Sequence, residues 1–142
     1  MEAKASVIGV DFDNTMARYD EVMYREALAR GLIDPSTVPS KRAIRDHLRR
    51  LPGGEPEWQR LQATIYGPKI REAALAPGLE AFFQTCREHH VRVVIVSHKT
   101  IYANVTEMQT NLRVAAMGWM HQHRVFDRDG FGMSPADVYF ES

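Results

Sequence analysis

Cysteine is nearly absent from this 142-residue sequence, which holds only Cys86. A single thiol can close neither an intramolecular disulfide nor a cysteine zinc cluster. Cys86 stands in an apolar stretch with Phe82 and Phe83, the setting of a buried thiol in a reducing compartment. Charge of one sign is lacking too. The 18 Lys and Arg balance 18 Asp and Glu, so no global field draws the chain to nucleic acid or to an anionic membrane. Any basic site must be local. No run approaches about eighteen consecutive apolar residues, and Met1–Ser6 form no apolar leader. The expectation is a soluble, cytoplasmic protein with neither membrane nor nucleic acid as partner. Internal repeats, heptads and low-complexity tracts are also missing.

What is present is ordinary globular material, 44% hydrophobic and 25% charged, enough to bury a core. The length suits one compact domain or a core with a modest insertion, and excludes two large domains. Val7, Ile8, Gly9 and Val10 read as a short buried strand that delivers Asp11, Phe12, Asp13, Asn14 and Thr15 at its carboxyl end. The β-branched run Val91–Val96 reads as a second strand, ending in Ser97, His98, Lys99 and Thr100. Val138, Tyr139 and Phe140 read as a third.

Between the first two strands the pattern is helical. One helix is expected from about Asp20, as N-cap, to Arg30, with Gly31 as its stop and Val22, Ala27 and Leu28 inward. A second follows Pro39 and Ser40 and turns Ile44, Leu48 and Leu51 to one side, with Lys41, Arg42, Arg45, Arg49 and Arg50 on the other. Those basic residues read as a solvated face. Pro56 opens a third helix with Trp58, Leu61 and Ile65 on one side, and Lys69–Leu75 reads as a fourth, short one. Leu79 to about His89 is amphipathic and carries Phe82, Phe83 and Cys86. A last helix is expected from roughly Thr106 to His121. Trp58, Tyr66 and Trp119 are most simply core residues. Asp127, Asp129 and Asp137 read as turn residues.

Strands alternating with helices predict an α/β domain with a parallel sheet, in which ligands bind beyond the carboxyl ends of the strands. Both polar clusters lie at such ends. Asp11 and Asp13 are close enough to repel, which calls for a cation beside them. Their oxygens, with no nearby histidine pair or thiolate, suit magnesium better than zinc. Lys99 reads equally as a group neutralising an anion or as an exposed lysine after a strand.

An apolar strand followed by Asp11, Phe12, Asp13, Asn14 and Thr15 resembles the first motif, DxDxT, of the haloacid dehalogenase (HAD) superfamily. Ser97, 86 residues after Asp11, resembles its second. The resemblance implies a Rossmann-like parallel sheet core over residues 1–17 and 77–142, with a small α-helical cap insertion over 18–76. It implies a phosphatase in which Asp11 is the nucleophile and forms an aspartyl-phosphate, and Asp13 is the general acid and base. Asp13 favours a phosphate ester over a carbon-halogen or carbon-phosphorus bond. Mg²⁺ would be held at Asp11 and Asp13, the latter by its backbone carbonyl. Ser97, Lys99 and the amides of Phe12 and Asp13 would contact the phosphate of a small phosphorylated substrate. Thr15 would brace the loop.

The family's third motif, a lysine, and its fourth, an acidic pair after a further strand, are not recognisable, although Lys99 could stand in for the lysine. In the family the nucleophile strand is central, with the second-motif and third strands on one side and later strands on the other. Here those later strands would lie beyond Ser142, leaving one edge of the first strand unpaired. That implies either a shortened chain or a variant with an incomplete site. An unpaired edge also favours a homodimer. Two alternatives stand beside hydrolysis: a catalytically incomplete chain serving as a binding or partner-dependent module, and phosphoryl transfer to an acceptor other than water.

Overall fold

The computed structural model describes residues 6–103, 105 and 109–142. β-Branched residues suit a pleated, half-buried surface, and the richest such run forms the middle strand, β4 (Arg92–His98), of a three-stranded sheet. β1 (Val7–Val10) and β5 (Val138–Glu141) flank it, both parallel to it, in the order β1-β4-β5. Ile8 lies opposite Val93 and Val10 opposite Ile95, while Val138 lies opposite Ile95 and Phe140 opposite Ser97. Residues so paired share a face. Val10, Val93, Ile95 and Ser97 on that face are buried. The other face leaves Val7 and Tyr139 exposed. Among the described residues β1 has one neighbour, β4, so its outer edge is unpaired.

The segment between β1 and β4 opens and closes on a two-residue antiparallel pair, β2 (Ala17–Arg18) with β3 (Ala74–Leu75). It holds α1 (Asp20–Ala29), α2 (Lys41–Arg49) and α3 (Gly54–Tyr66). The expected Trp58, Leu61 and Ile65 stripe of α3 is buried, and so are Ile44 and Leu48 of α2. Gly54 sits where a side chain cannot: a Cβ there would lie 1.6 Å from the Leu48 carbonyl oxygen, which forces glycine at the elbow between α2 and α3. After β3 come α4 (Leu79–Glu88), which turns Phe83 and Cys86 inward, then β4 and α5 (Leu112–Gln122). No helix among the described residues is long and apolar enough to cross a membrane.

Five local expectations need correction. Asp20 is the first residue of α1 and not its N-cap; Tyr19 holds that position without a side-chain cap bond, and the Asp20 carboxylate accepts from Lys41 N (2.9 Å), at the start of α2. Leu28 is half-buried and Met23 takes the inward place expected of it. Leu51 follows α2 and is exposed. Residues 69–75 form a 3-10 turn (Ile70–Glu72) and then β3, because the chain must return here to pair with β2. The last helix begins at Leu112, capped by the Asn111 side chain, which accepts from Arg113 N and Val114 N. Thr106, Glu107 and Met108, where that helix was expected to start, lie outside the described residues.

One continuous hydrophobic core joins sheet and helical segment. Trp119 of α5 meets Phe12 edge to face at 5.3 Å and donates its indole N–H to the Ala73 carbonyl at 3.0 Å.

Candidate active site

The loop after β1 is wound around one carbonyl. Phe12 O accepts from the amides of Thr15, Met16 and Ala17, and Asn14, at φ +62°, turns the chain. Asparagine tolerates that left-handed backbone better than most residues. The Phe12 ring is fully buried and anchors the loop between the two aspartates. Asp11 is exposed and its Oδ1 accepts from Phe12 N at 2.8 Å. The Phe12 amide, expected to face a phosphate, is thus engaged by the Asp11 carboxylate. Thr15 is exposed and contributes its amide to the turn.

Asp13 is held from two sides. The Tyr19 hydroxyl donates to Oδ1 at 2.5 Å, and Lys99 Nζ lies 2.9 Å from Oδ2 and 3.1 Å from Oδ1. Lys99 is only 5% exposed. Its ammonium lies 5.7 Å from the centroid of the Phe12 ring and 4.9 Å from that of Tyr66, so aromatic faces replace part of its lost hydration. Its backbone is fixed at the end of β4, where Lys99 N donates to Glu141 O at 2.7 Å and Lys99 O accepts from Arg113 Nε at 2.8 Å. The exposed-lysine reading does not hold. Burial, and then the Asp13 charge, push the Tyr19 phenol far above its ordinary range, which keeps it a proton-bearing donor.

Ser97 is fully buried, and its hydroxyl has no hydrogen-bond partner within the described chain. His98 is exposed and 3.8 Å from Glu141. A cavity of about 250 Å³ opens over this region, lined by Asp13, Lys99, Tyr66, Gln59, Gln62 and Leu112 among others. Tyr66, expected in the core, is half-buried and packs against it while also bordering the site. Its hydroxyl accepts from Lys41 Nζ at 2.5 Å, and its ring meets that of Tyr19 edge to face at 4.7 Å.

Sequence reasoning missed Tyr19, and missed that Tyr66 lines the cavity as well as packing against the core. The one local sign for Tyr19 is its position just before a helix, where a side chain with a capping oxygen is usual and a tyrosine cannot cap.

The remaining candidates lie elsewhere. Asp137 pairs with Arg92 at 2.6 Å, at the start of β4 and so at the opposite end of the sheet. Asp127 and Asp129 pair with Arg124 at 3.2 and 3.4 Å, beside a wider hollow that shares no residue with the site. On the basic side of α2, Arg45 pairs with Asp46 and Arg49 with Glu55, all part-exposed.

Compared with protein-family models, curated proteins and solved structures, the chain matches none.

Among the described residues no group of three or more His, Cys, Asp or Glu is placed to hold a metal ion. The loop does supply oxygen donors alone, an exposed Asp11 carboxylate and the neighbouring Asp13. That set fits magnesium, which needs only one or two carboxylates when waters and a substrate phosphate complete its shell. It does not fit zinc.

Proposed function

We propose that this chain is a magnesium-dependent phosphomonoester hydrolase of the HAD type, acting on a small phosphorylated metabolite through an aspartyl-phosphate. One observation carries the reading. An exposed aspartate, a second aspartate, a buried unpartnered serine hydroxyl and a buried lysine all come from the carboxyl ends of two adjacent parallel strands, where α/β sheets bind ligands. The strand order β1-β4-β5 also supports it, being the order expected on one side of the nucleophile strand. So does the β2–β3 pair, which sits where a helical cap would join its core.

The chemistry follows from the residues. An Asp11 carboxylate oxygen attacks phosphorus in line, and the ester oxygen leaves with a proton from Asp13. Water then attacks the phosphorus of the aspartyl-phosphate, gives its proton to Asp13 and releases Asp11 and inorganic phosphate. Lys99 neutralises the phosphate: a dianion arriving at the strand ends draws the ammonium from Asp13 and leaves that carboxyl free to carry the proton. The Ser97 hydroxyl donates to a phosphoryl oxygen. A magnesium ion held by the Asp11 carboxylate and the Asp13 carbonyl would offset the repulsion between nucleophile and phosphate. α3 of the helical segment, which lines the cavity with Gln59, Gln62 and Tyr66, limits water at the site.

The test is hydrolysis of p-nitrophenyl phosphate with and without Mg²⁺, by the parent chain and by Asp11→Asn. Turnover that needs both the ion and Asp11 is expected; equal turnover by Asp11→Asn would remove the mechanism. The second reading, a catalytically incomplete binding module, rests on the scarcity of metal-ligating side chains among the described residues. A folded parent with no turnover would select it.

A further inference from the structure

We propose that Tyr19, at the entry to the helical segment, is a positioning residue for the proton that Asp13 gives to the leaving group. The inference rests on the phosphatase reading and adds a residue to it.

Tyr19 lies between β2 and α1, at the point where the chain enters the helical segment. Its side chain is fully buried, yet its hydroxyl turns back to the loop after β1 and donates to Asp13 Oδ1 at 2.5 Å. Lys99 reaches the same carboxyl from β4, at 2.9 and 3.1 Å. The two donors differ in what a substrate does to them. Lys99 carries a charge that a phosphate dianion competes for. Tyr19 is neutral, and its ring is fixed edge to face against Tyr66 of α3 at 4.7 Å, so it has no reason to leave. When Lys99 turns to the phosphate, Tyr19 is the group that keeps the Asp13 carboxyl in one orientation, with Oδ1 occupied and Oδ2 free to hold the transferred proton. A general acid contributes in proportion to its alignment with the leaving oxygen. Tyr19 is not itself a proton donor to substrate: the sequence of transfers runs through Asp13 alone.

Loss of such a group has a signature that loss of packing lacks. A basic leaving group needs its proton early, whereas a stabilised phenolate leaves without one. Tyr19→Phe keeps the ring and removes the hydroxyl. The experiment compares kcat/KM for phenyl phosphate and p-nitrophenyl phosphate, two substrates of nearly one shape, in the parent, in Tyr19→Phe and in Tyr24→Phe. That constant stops at departure of the leaving group and so excludes the hydrolysis step common to both substrates. Tyr24 is a control tyrosine whose hydroxyl bonds Pro35 O at 3.0 Å, outside the site. The expected result is a loss of kcat/KM about tenfold larger with phenyl phosphate than with p-nitrophenyl phosphate in Tyr19→Phe, and an unaltered ratio in Tyr24→Phe. Because both substrates are read on one preparation, the ratio is independent of how much of the variant is folded. An equal loss on both substrates, or none, would overturn the proposal and leave Tyr19 a packing residue. A folded parent that hydrolyses neither would overturn the phosphatase reading, and this proposal with it.

Discussion

A lysine ammonium sealed under two aromatic rings needs a counter-charge, and Asp13 is the carboxylate that the described structure gives it. The two partners are unequally buried, with side chains 3% exposed for Lys99 and 23% for Asp13. Removing the carboxylate strands a charge that water barely reaches; removing the lysine strands one that water reaches more readily. Asp13→Ala is therefore expected to lower stability by about 3 kcal/mol, and Lys99→Met by clearly less, in urea unfolding. The reverse order would contradict the buried pair. At this scale the aspartates were legible, since an apolar strand running into Asp11 and Asp13 leaves them no place in the core. Lys99 was only half legible: a lysine after a strand is usually solvated, and its burial depends on Phe12 and on Tyr66, which comes from a distant helix. Tyr19 is close in sequence to Asp13, six residues away, and was hidden instead because nothing in the pattern says that the chain curls back on the loop after β1.

Among the elements, α1 has no side-chain cap, and its Asp20 serves the start of α2 instead. One tie from it to the far end of the helical segment is Glu26, which accepts from Arg30 at 2.9 Å and from Lys69 at 2.7 Å. The hydrogen bond from Lys69 is the main reason the Glu26 carboxyl lies below its ordinary 4.5. A carboxyl lowered on folding stabilises the fold fully above the ordinary value, and that contribution fades as pH falls through the folded one. Glu26→Gln should thus be less stable than the parent at neutral pH, by up to about 1 kcal/mol for so exposed a lysine partner, with the gap closing as the pH falls below the ordinary glutamate range. Thermal melts across that range check it; a gap constant with pH would contradict the bond. Strands and helices with a strong pattern were legible, as with Val91–Val96, the Ser40 start of α2 and the Trp58, Leu61, Ile65 stripe. The β2–β3 pair was not, because two residues carry no periodicity and their pairing is set by where the chain must return. Nor was the start of α5, which the Asn111 cap decides within a polar stretch.

For the molecule as a whole, the shared core bears on cooperativity. Trp58 lies in the helical segment and Trp119 beside the sheet, and both belong to one cluster of buried residues. Segments that share a core unfold together. Single-tryptophan variants, Trp58→Phe and Trp119→Phe, should each show one fluorescence transition in urea that coincides with the loss of helical circular dichroism in the same protein. An earlier transition for Trp58 alone would mean that the helical segment opens as a separate unit. The parallel α/β class was legible in the alternation of strands and helices, whereas the unpaired edge of β1 was expected only from the strand order that the resemblance implies.

The central claim, that phosphate passes through Asp11, is tested most directly by trapping it there. Asp13→Asn can still form an aspartyl-phosphate from p-nitrophenyl phosphate, whose leaving group needs no proton, but lacks the base that activates water to remove it. After acid quench, mass spectrometry of the digested variant should find one phosphoryl group, on the peptide that carries Asp11. A phosphoryl group on another residue, or turnover by the parent with the variant's Asp11 peptide unmodified, would contradict the account.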